Sequence, residues 1–396
     1  MPDRLAIEGG TPVRKQMLPY SHQVIEDRDV AAVVEVLRGK WLTTGPAVQC
    51  FERAVADRVH SEYAVSVTSG TAALHAAAYS AGIRHGDEAI TSAISFAASA
   101  NCIAYCGGIP RFADVQGDTL NLDPASVASL VNEKTRAIIA VDFGGQPADL
   151  AELAAIADKY GLVLIEDAAH ALGATYRGKP VGSIADMTTF STHPVKLITT
   201  GEGGVIVTND SEYAGIIRSF RSHGISIDAR ERARRGDWFY EMYHLGYNYR
   251  LPDILCALGT EQLQRLDHWL ARRREIVAIY SKAFEEIPEI QPLATRPDRE
   301  STWHLYVVRL DLDRIRVDRK QVYRALLSEG VGVNVHYIPI YWHPYYEAQG
   351  YHRGLCPVAE AQYERVLTLP LWAGMTDEDA NDVVTAVAKV VAAYRK

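Results

Sequence analysis

Three elements of this sequence have side chains suited to one reaction centre. Lys196 lies in FSTHPVKLITTGEGG, a loop between two apolar strand-like runs, with Gly201, Gly203 and Gly204 close behind it. A lysine partly desolvated in such a loop loses basicity and can form a Schiff base with an aldehyde. Taken alone, it reads as an ordinary exposed loop lysine. Asp167 closes the run LVLIED at the carboxyl end of a strand candidate. A carboxylate there needs a partner, because an uncompensated buried charge is costly. The partner is either a Lys or Arg, or a protonated ring nitrogen of the kind pyridoxal phosphate presents when it acts as an electron sink. Ser69-Gly70-Thr71 follows the strand candidate YAVSV and opens the helix candidate TAALHAAAY. Free N–H groups and the positive end of a helix dipole suit an anion at such a junction, although simple capping explains it equally well. Together the three form a phosphate cradle, a ring-nitrogen partner and a Schiff-base lysine, in that chain order.

These residues need a scaffold that brings strand ends together. Strand candidates are Tyr63–Val67, Glu88–Thr91, Arg111–Val115, Ala137–Val141, Leu162–Glu166, Thr188–Ser191 and Val205–Thr208. Several are continuous apolar runs, as strands covered on both faces require. Helical periodicity lies between them at Thr71–Tyr79, Ala97–Tyr105, Pro124–Asn132 and Asp149–Tyr160. This alternation predicts an α/β fold, a mostly parallel sheet with helices on both faces and ligands at the carboxyl ends of the strands. After Leu251 the pattern changes. A periodic stretch, Asp253 to Phe284, breaks near Asp267; Ser301–Leu310 and Val331–His336 read as strands, and Arg319–Ser328 and Asp377–Tyr394 as helices. The expectation is a large domain over residues 1–250 and a smaller α+β domain over 251–396.

The 396 residues carry 41 Lys+Arg against 49 Asp+Glu, a formal net charge of -8. That balance, without a long basic run, argues against a general nucleic-acid partner. It does not argue against a phosphate held by uncharged donors in a pocket. No apolar stretch approaches membrane-spanning length, and the N-terminus MPDRLAIEGGTPVRKQ has no apolar signal-peptide region, so a cytoplasmic protein is expected. Cys102 and Cys106 stand four apart but lack further ligands at metal-binding spacing, so no metal is expected. No GxGxxG follows a strand, and no GxxxxGK[ST] occurs.

The stretches TSGTAALH, EDAAHALGA, FSTHPVKLITTGEGG and LGYNYRLPDILCALGTEQL, in this order, resemble the pyridoxal-phosphate sugar aminotransferases of the DegT/StrS type. The resemblance runs from about Leu18 to Leu371 and implies a fold-type-I transferase that works as a homodimer with shared sites. It implies that Lys196 bonds to pyridoxal 5'-phosphate and moves a proton, and that Asp167 binds the pyridine nitrogen. His170 then lies near the phenolic oxygen, Phe96 stacks on the ring, and Gly70, Thr71 and Ser191 hold the phosphate. Asn248, in GYNYR, would reach the phosphate of the neighbouring subunit. Tyr20, Tyr240, Arg250, His336 and Tyr337 match segments facing the substrate. Within the family, LPYSHQVIEDRDVAAVVEVLRGKWLTTGP and DWFYEMYHLGYNYR look closest to the branch serving pseudaminic acid. That branch acts on a UDP-linked 4-keto-6-deoxy amino sugar, with L-glutamate as donor by family analogy.

The chain departs from the usual pattern at Thr192, where an aromatic is common, at Tyr341, where histidine is, and at His22, where arginine is. GDP- or dTDP-linked keto sugars are the alternative substrates. A sugar dehydratase of the same fold would carry histidine in place of Lys196, and a cofactor-binding regulator would keep the site without turnover. Arg230, Arg232, Arg234 and Arg235 precede GYNYR, either as a solvated face or as a segment meeting the substrate diphosphate. Arg272, Arg273 and Arg274 read as surface or interface.

Overall fold

The computed structural model describes residues 4–227, 232 and 234–396. Its centre is a seven-stranded sheet formed by β1 (Tyr63–Val67), β2 (Glu88–Ser92), β3 (Ile109–Ala113), β4 (Thr135–Val141), β5 (Val163–Asp167), β8 (Met187–Ser191) and β9 (Gly204–Thr208). The strand order is β1-β9-β8-β5-β4-β2-β3. The β2–β3, β2–β4, β4–β5 and β5–β8 pairs are parallel, and β9 runs antiparallel to both of its neighbours. The sheet is therefore mixed and mostly parallel, as its apolar strands required. Helices α3 (Gly70–Ser80), α4 (Ala98–Tyr105), α5 (Pro124–Leu130) and α6 (Leu150–Tyr160) connect the strands. In α3, Ala72, Ala73, Ala76, Ala77 and Ala78 are all buried, and small side chains of this kind let the helix lie close to the sheet. A short three-stranded sheet of β6 (Thr175–Tyr176), β7 (Lys179–Pro180) and β11 (Arg299–Glu300) joins the two halves of the chain.

The second half builds an antiparallel sheet from β10 (Ile290–Pro292), β12 (Tyr306–Leu310) and β13 (Val366–Leu369). The helices Arg319–Ser328 and Asp377–Tyr394 flank it, each opened by a capping box, Asp318 with Gln321 and Thr376 with Asp379. Packing crosses residue 251 in both directions. Leu251, Cys256, Leu263 and Trp269 share a core with Phe51 and Phe190, whereas Leu5 and Leu18 pack with Ile276, Tyr280 and Phe284.

The structure departs from the periodicity in four places. Only Tyr306–Leu310 of the Ser301–Leu310 run is strand, because Thr302 and Leu305 donate their N–H groups to Gly145 and Gly144 (3.0 and 3.1 Å), which pins this segment to the loop after β4. Val331–His336 forms single bridges, Val331 to Leu18 and Asn334 to Thr368, in place of a strand. The third strand starts at Ile109, two residues before the expected Arg111, because the turn at Gly107 (φ 81°) brings the chain to the sheet edge early. Arg273 is buried, and its Nη1 donates to the carbonyls of Trp303, His304 and Leu371 (3.1, 3.3 and 2.9 Å), so it is an internal staple. Helices α1 (Asp27–Arg38), α2 (Pro46–Val59) and α7 (Ser211–Phe220) also form, on segments the periodicity left unassigned.

The long periodic segment divides at Arg265 into helices Asp253–Gln264 and Leu266–Phe284. Arg265 Nη2 donates to both oxygens of Asp29 at 2.5 Å, and Gln262 Nε2 adds a third bond at 2.9 Å. Asp29 is 1% exposed and Arg265 7%. Removing Asp29 leaves buried Arg265 with only a longer contact to the half-exposed Glu26 carboxylate (3.3 Å), so Asp29→Ala should lower unfolding stability by about 3–5 kcal/mol. Urea unfolding followed by circular dichroism measures this; a loss under about 1 kcal/mol would mean the pair behaves as a surface salt bridge.

Candidate active site

The site grows from the carboxyl ends of β4, β5 and β8. Their register sets Val141 beside Asp167 and Asp167 beside Thr189. Asp167 is buried, and its Oδ2 accepts a hydrogen bond from Ser99 Oγ (2.6 Å) while Oδ1 accepts from Ala169 N–H (3.3 Å). Ser95 Oγ bonds Ser99 Oγ in turn (2.7 Å), which makes a short relay from the start of α4 to the carboxylate. Burial raises the Asp167 pKa, and Ser99, Ala169 N–H and the Lys196 charge oppose that rise. Asp167 makes no ion pair among the described residues, so the hydroxyl and the nearby ammonium take the place of the salt bridge that the sequence left open.

Lys196 is half-buried in the loop between β8 and β9, with its N–H bonded to His193 O (2.8 Å). Desolvation lowers its pKa to about 8, against the opposing pull of Asp167. A substantial fraction of its Nζ is then an unprotonated nucleophile at mildly alkaline pH. His170 is buried; its Nε2 lies 3.3 Å from Tyr337 Oη, and its Nδ1 has no partner. Burial, Lys196 and His336 together push the His170 pKa well down, so the ring is neutral. The rings of His170 and His304 lie 4.4 Å apart, and His304 is itself buried.

The phosphate cradle is geometrically built. Ser69 Oγ caps α3 by accepting from Ala72 N–H (3.1 Å). A Cβ at Gly70 would come within 2.9 Å of Ser191 Cβ and 3.1 Å of Ser191 Oγ. A Cβ at Gly204 would meet Ser69 O at 2.5 Å. Only glycines allow the β1–α3 turn, the end of β8 and the start of β9 to come this close. The cradle, the unpartnered Nδ1 of His170 and the Lys196 charge acting on buried Asp167 fit pyridoxal phosphate. Gly70, Thr71 and Ser191 would hold the phosphate, Asp167 the ring nitrogen, and Lys196 the aldehyde carbon.

The C-terminal half reaches the same centre. Tyr337 lies 6.4 Å from Phe96 and 6.2 Å from His170, centroid to centroid, and Tyr20 lies 5.6 Å from His336. His336 Nδ1 bonds Thr368 Oγ1 (2.8 Å), and burial lowers its pKa to about 3. Phe96 is 61% exposed, which leaves a ring face free to stack. Arg250 bridges Val67 directly before the cradle. Two sequence candidates are not gathered here. Tyr240 is exposed beneath the Arg232 guanidinium (4.5 Å), and Asn248 is exposed with its backbone bridged to Ser222. Arg230 lies outside the described residues. Ser95, Ser99 and His304 are additions that sequence reasoning missed. The signal for Ser99 was its spacing of three from Phe96 across the turn that opens α4, where Ser99 N–H donates to Phe96 O (3.2 Å).

The fold and site define a pyridoxal-phosphate-dependent aminotransferase. The chain belongs to the DegT/DnrJ/EryC1/StrS aminotransferase family, which matches residues 23–388. It is 42% identical over 381 residues to the spore coat polysaccharide biosynthesis protein SpsC of Bacillus subtilis, covering 96% of this chain and 98% of that protein. Among solved structures it resembles Helicobacter pylori PseC, an aminotransferase involved in the biosynthesis of pseudoaminic acid. Identity there is 32% and the TM-score 0.90, covering 96% of this chain and 100% of PseC. Spr1654 from Streptococcus pneumoniae, in its PMP-form, also matches at 32% identity and a TM-score of 0.90, over 95% and 99% of the two chains.

Loss of the Ser99 hydroxyl removes a hydrogen bond to a buried charged group, which contributes about 1.5–3 kcal/mol. Ser99→Ala should therefore weaken pyridoxal phosphate binding by about tenfold to a hundredfold, with Ser99→Thr retaining most of it. Spectrophotometric titration of the apoprotein decides the matter; unchanged affinity in Ser99→Ala would exclude the relay. Because the Lys196 pKa is lowered to about 8, its neutral form grows as pH rises through that value and levels about one pH unit above it. The rate of cofactor attachment in stopped-flow absorbance should follow that curve; continued growth toward the range of a free lysine would contradict it.

Proposed function

We propose that this protein transfers an amino group from L-glutamate to the C4 ketone of a UDP-linked 4-keto-6-deoxy-N-acetyl amino sugar, in the biosynthesis of a nonulosonic (pseudaminic-type) acid or another surface glycan. The observation that carries the substrate is the resemblance to PseC over nearly the full length of both chains, and the gathering of Gly70, Asp167, His170, Ser191 and Lys196 around one centre supports it. The 42% identity to SpsC, a polysaccharide biosynthesis protein, supports a glycan-directed product. Bound pyridoxal phosphate supplies an electron sink for the carbon that carries the amino group. Asp167 holds the ring nitrogen in its protonated state, and its own charge is stabilised by Ser99 Oγ. Lys196 Nζ takes up and releases the proton at the reacting carbon, a role its lowered pKa suits. Neutral His170 offers an N–H from Nδ1 without adding positive charge beside Lys196. Tyr20, His336 and Tyr337 line the side from which a sugar would enter.

A homodimer completes this reading. The segment from Trp238 to Tyr247 exposes a run of large apolar side chains, with Trp238 82% and Leu245 75% exposed. Such a run needs cover, and it leads directly into Asn248, which is exposed and free to serve a second copy's cradle. The same reading keeps residues 1–250 as the cofactor-bearing unit and 251–396 as the smaller one. It also places the reaction in the cytoplasm. All five cysteines are free, in keeping with a reducing compartment, and no described helix is long and apolar enough to cross a membrane.

Lys196→Ala should lose both turnover and the visible absorption of the loaded protein; retained activity would overturn the mechanism. Incubation with glutamate and UDP-, GDP- and dTDP-linked keto sugars should yield an aminated UDP-sugar. A deoxy sugar would indicate a dehydratase, no turnover a regulator, and preference for another nucleotide a different substrate. Mixing inactive Lys196→Ala and Asn248→Ala chains should restore up to about a quarter of the sites if they are shared across a two-fold axis. No recovery, with subunit exchange shown by mass spectrometry, would place Asn248 in its own chain's site.

A further inference from the structure

Behind Asp167 lie two carboxyl groups that the proposed mechanism does not use. Asp142 follows β4 and Glu166 precedes Asp167 on β5, and both are 0% exposed. Asp142 N–H donates to Asp167 O (3.1 Å), so the pair sits at the junction that sets the position of the cofactor carboxylate. One oxygen of each side chain has a conventional partner. Ala148 N–H donates to Asp142 Oδ1 (2.8 Å), and Thr188 Oγ1 donates to Glu166 Oε2 (2.8 Å). The other oxygens, Asp142 Oδ2 and Glu166 Oε1, find no donor among the described residues; Ala140 pairs with Glu166 in the β4–β5 register and Asp142 follows two residues on, so the two carboxyl groups are neighbours that can hydrogen-bond to each other. Two ionised carboxylates cannot make that bond; one of them must carry the hydrogen.

Among the described residues no cation relieves the pair. The groups facing it are Thr188 from β8, the backbone of Ala148 and Gly182 from adjoining loops, and Asp167, whose charge has the same sign. We propose that Asp142 and Glu166 share one proton at neutral pH and act as a positioning pair, clamping the ends of β4 and β5 so that Asp167 is held in register for the cofactor. Burial raises both pKa values, which favours a proton held on the pair. The cofactor half of this inference rests on the role of Asp167 proposed above; the shared proton does not.

The sign of the pH effect follows. The folded pair holds a proton that the unfolded chain releases above the ordinary carboxylate range. Each such proton lowers the folding equilibrium constant by about tenfold per pH unit, until the folded pair also loses it. Asp142→Asn keeps an oxygen for Ala148 N–H and donates from its amide to Glu166 at every pH. As pH rises from the ordinary carboxylate range to the pKa of the folded pair, the melting temperature of the wild-type apoprotein should fall relative to that of Asp142→Asn; above that pKa its pyridoxal phosphate affinity should fall as well. The pH dependence due to Lys196 is common to both proteins and cancels in the comparison. Parallel melting curves would overturn the shared proton; parallel affinity curves with divergent melting would overturn the positioning role. If Asp142→Asn fails to fold, Glu166→Gln, whose amide can donate to Asp142, serves in the same comparison. Infrared spectra of the wild type should then show a buried protonated-carboxyl band that Glu166→Gln removes, and absence of that band would overturn the proposal. Should pyridoxal phosphate bind at no pH, the proposed function falls while the melting comparison still decides the pair.

Discussion

The structure is organised around keeping a negative charge at the end of a buried strand. Asp167 sits where parallel strands leave almost no access to water, and burial alone pushes it toward its neutral form. A neutral acid there could not hold a protonated ring nitrogen. The fold opposes burial from three directions: a hydroxyl from α4, a backbone N–H from the following turn, and the ammonium of Lys196. The same geometry lowers the pKa of Lys196, because the amine is desolvated more strongly than the carboxylate supports it. One interaction thus prepares both groups, an anion to polarise a ring and a lysine near neutrality to react with it.

The surroundings follow from this choice. A further cation beside Lys196 would raise the cost of its charged form, and the three histidines close to the centre are accordingly neutral. His170, His304 and His336 all have depressed pKa values, with burial the largest cause in each. The proposed phosphate cradle consists of a capped helix N-terminus, a serine and glycines that permit close approach, rather than lysines or arginines. A net charge of -8 is therefore compatible with an anionic cofactor. The overall charge bears on extended polyanions, which meet a surface, and not on a phosphate that meets a few oriented dipoles.

Much of this was legible in the sequence because each part has a local cause. The run YAVSV followed by Ser69-Gly70-Thr71 specifies a strand, a turn and a capped helix within a dozen residues, and β1 and α3 form there. Asp167 and Lys196 stood out through their positions beside apolar runs. What escaped depends on distant partners. Val331–His336 has strand-like residues, but its bonding is limited to single bridges with Leu18 and Thr368, which periodicity cannot register. Arg273 looked like one of three surface arginines until the carbonyls of Trp303, His304 and Leu371 enclosed it. His304 gains its place only when the second half of the chain folds back against His170.

The placement of Asn248 and of the Trp238–Tyr247 run fits the homodimer proposed above. A site made wholly by one chain would gather its phosphate donors on adjacent strands, as Gly70, Thr71 and Ser191 are gathered. The GYNYR segment does run along the end of β1, where Tyr249 O accepts from Thr68 N–H (2.9 Å). Yet Asn248 faces solvent, at the end of a segment whose large apolar side chains are uncovered. Leaving such surface in water is costly for a lone chain and favourable for a pair that buries it. In a two-fold pair the apolar run would supply the adhesive area, and the exposed amide would be carried to the partner's cradle by the same contact. Assembly and cofactor binding then become linked, since each favours the state in which the other is complete.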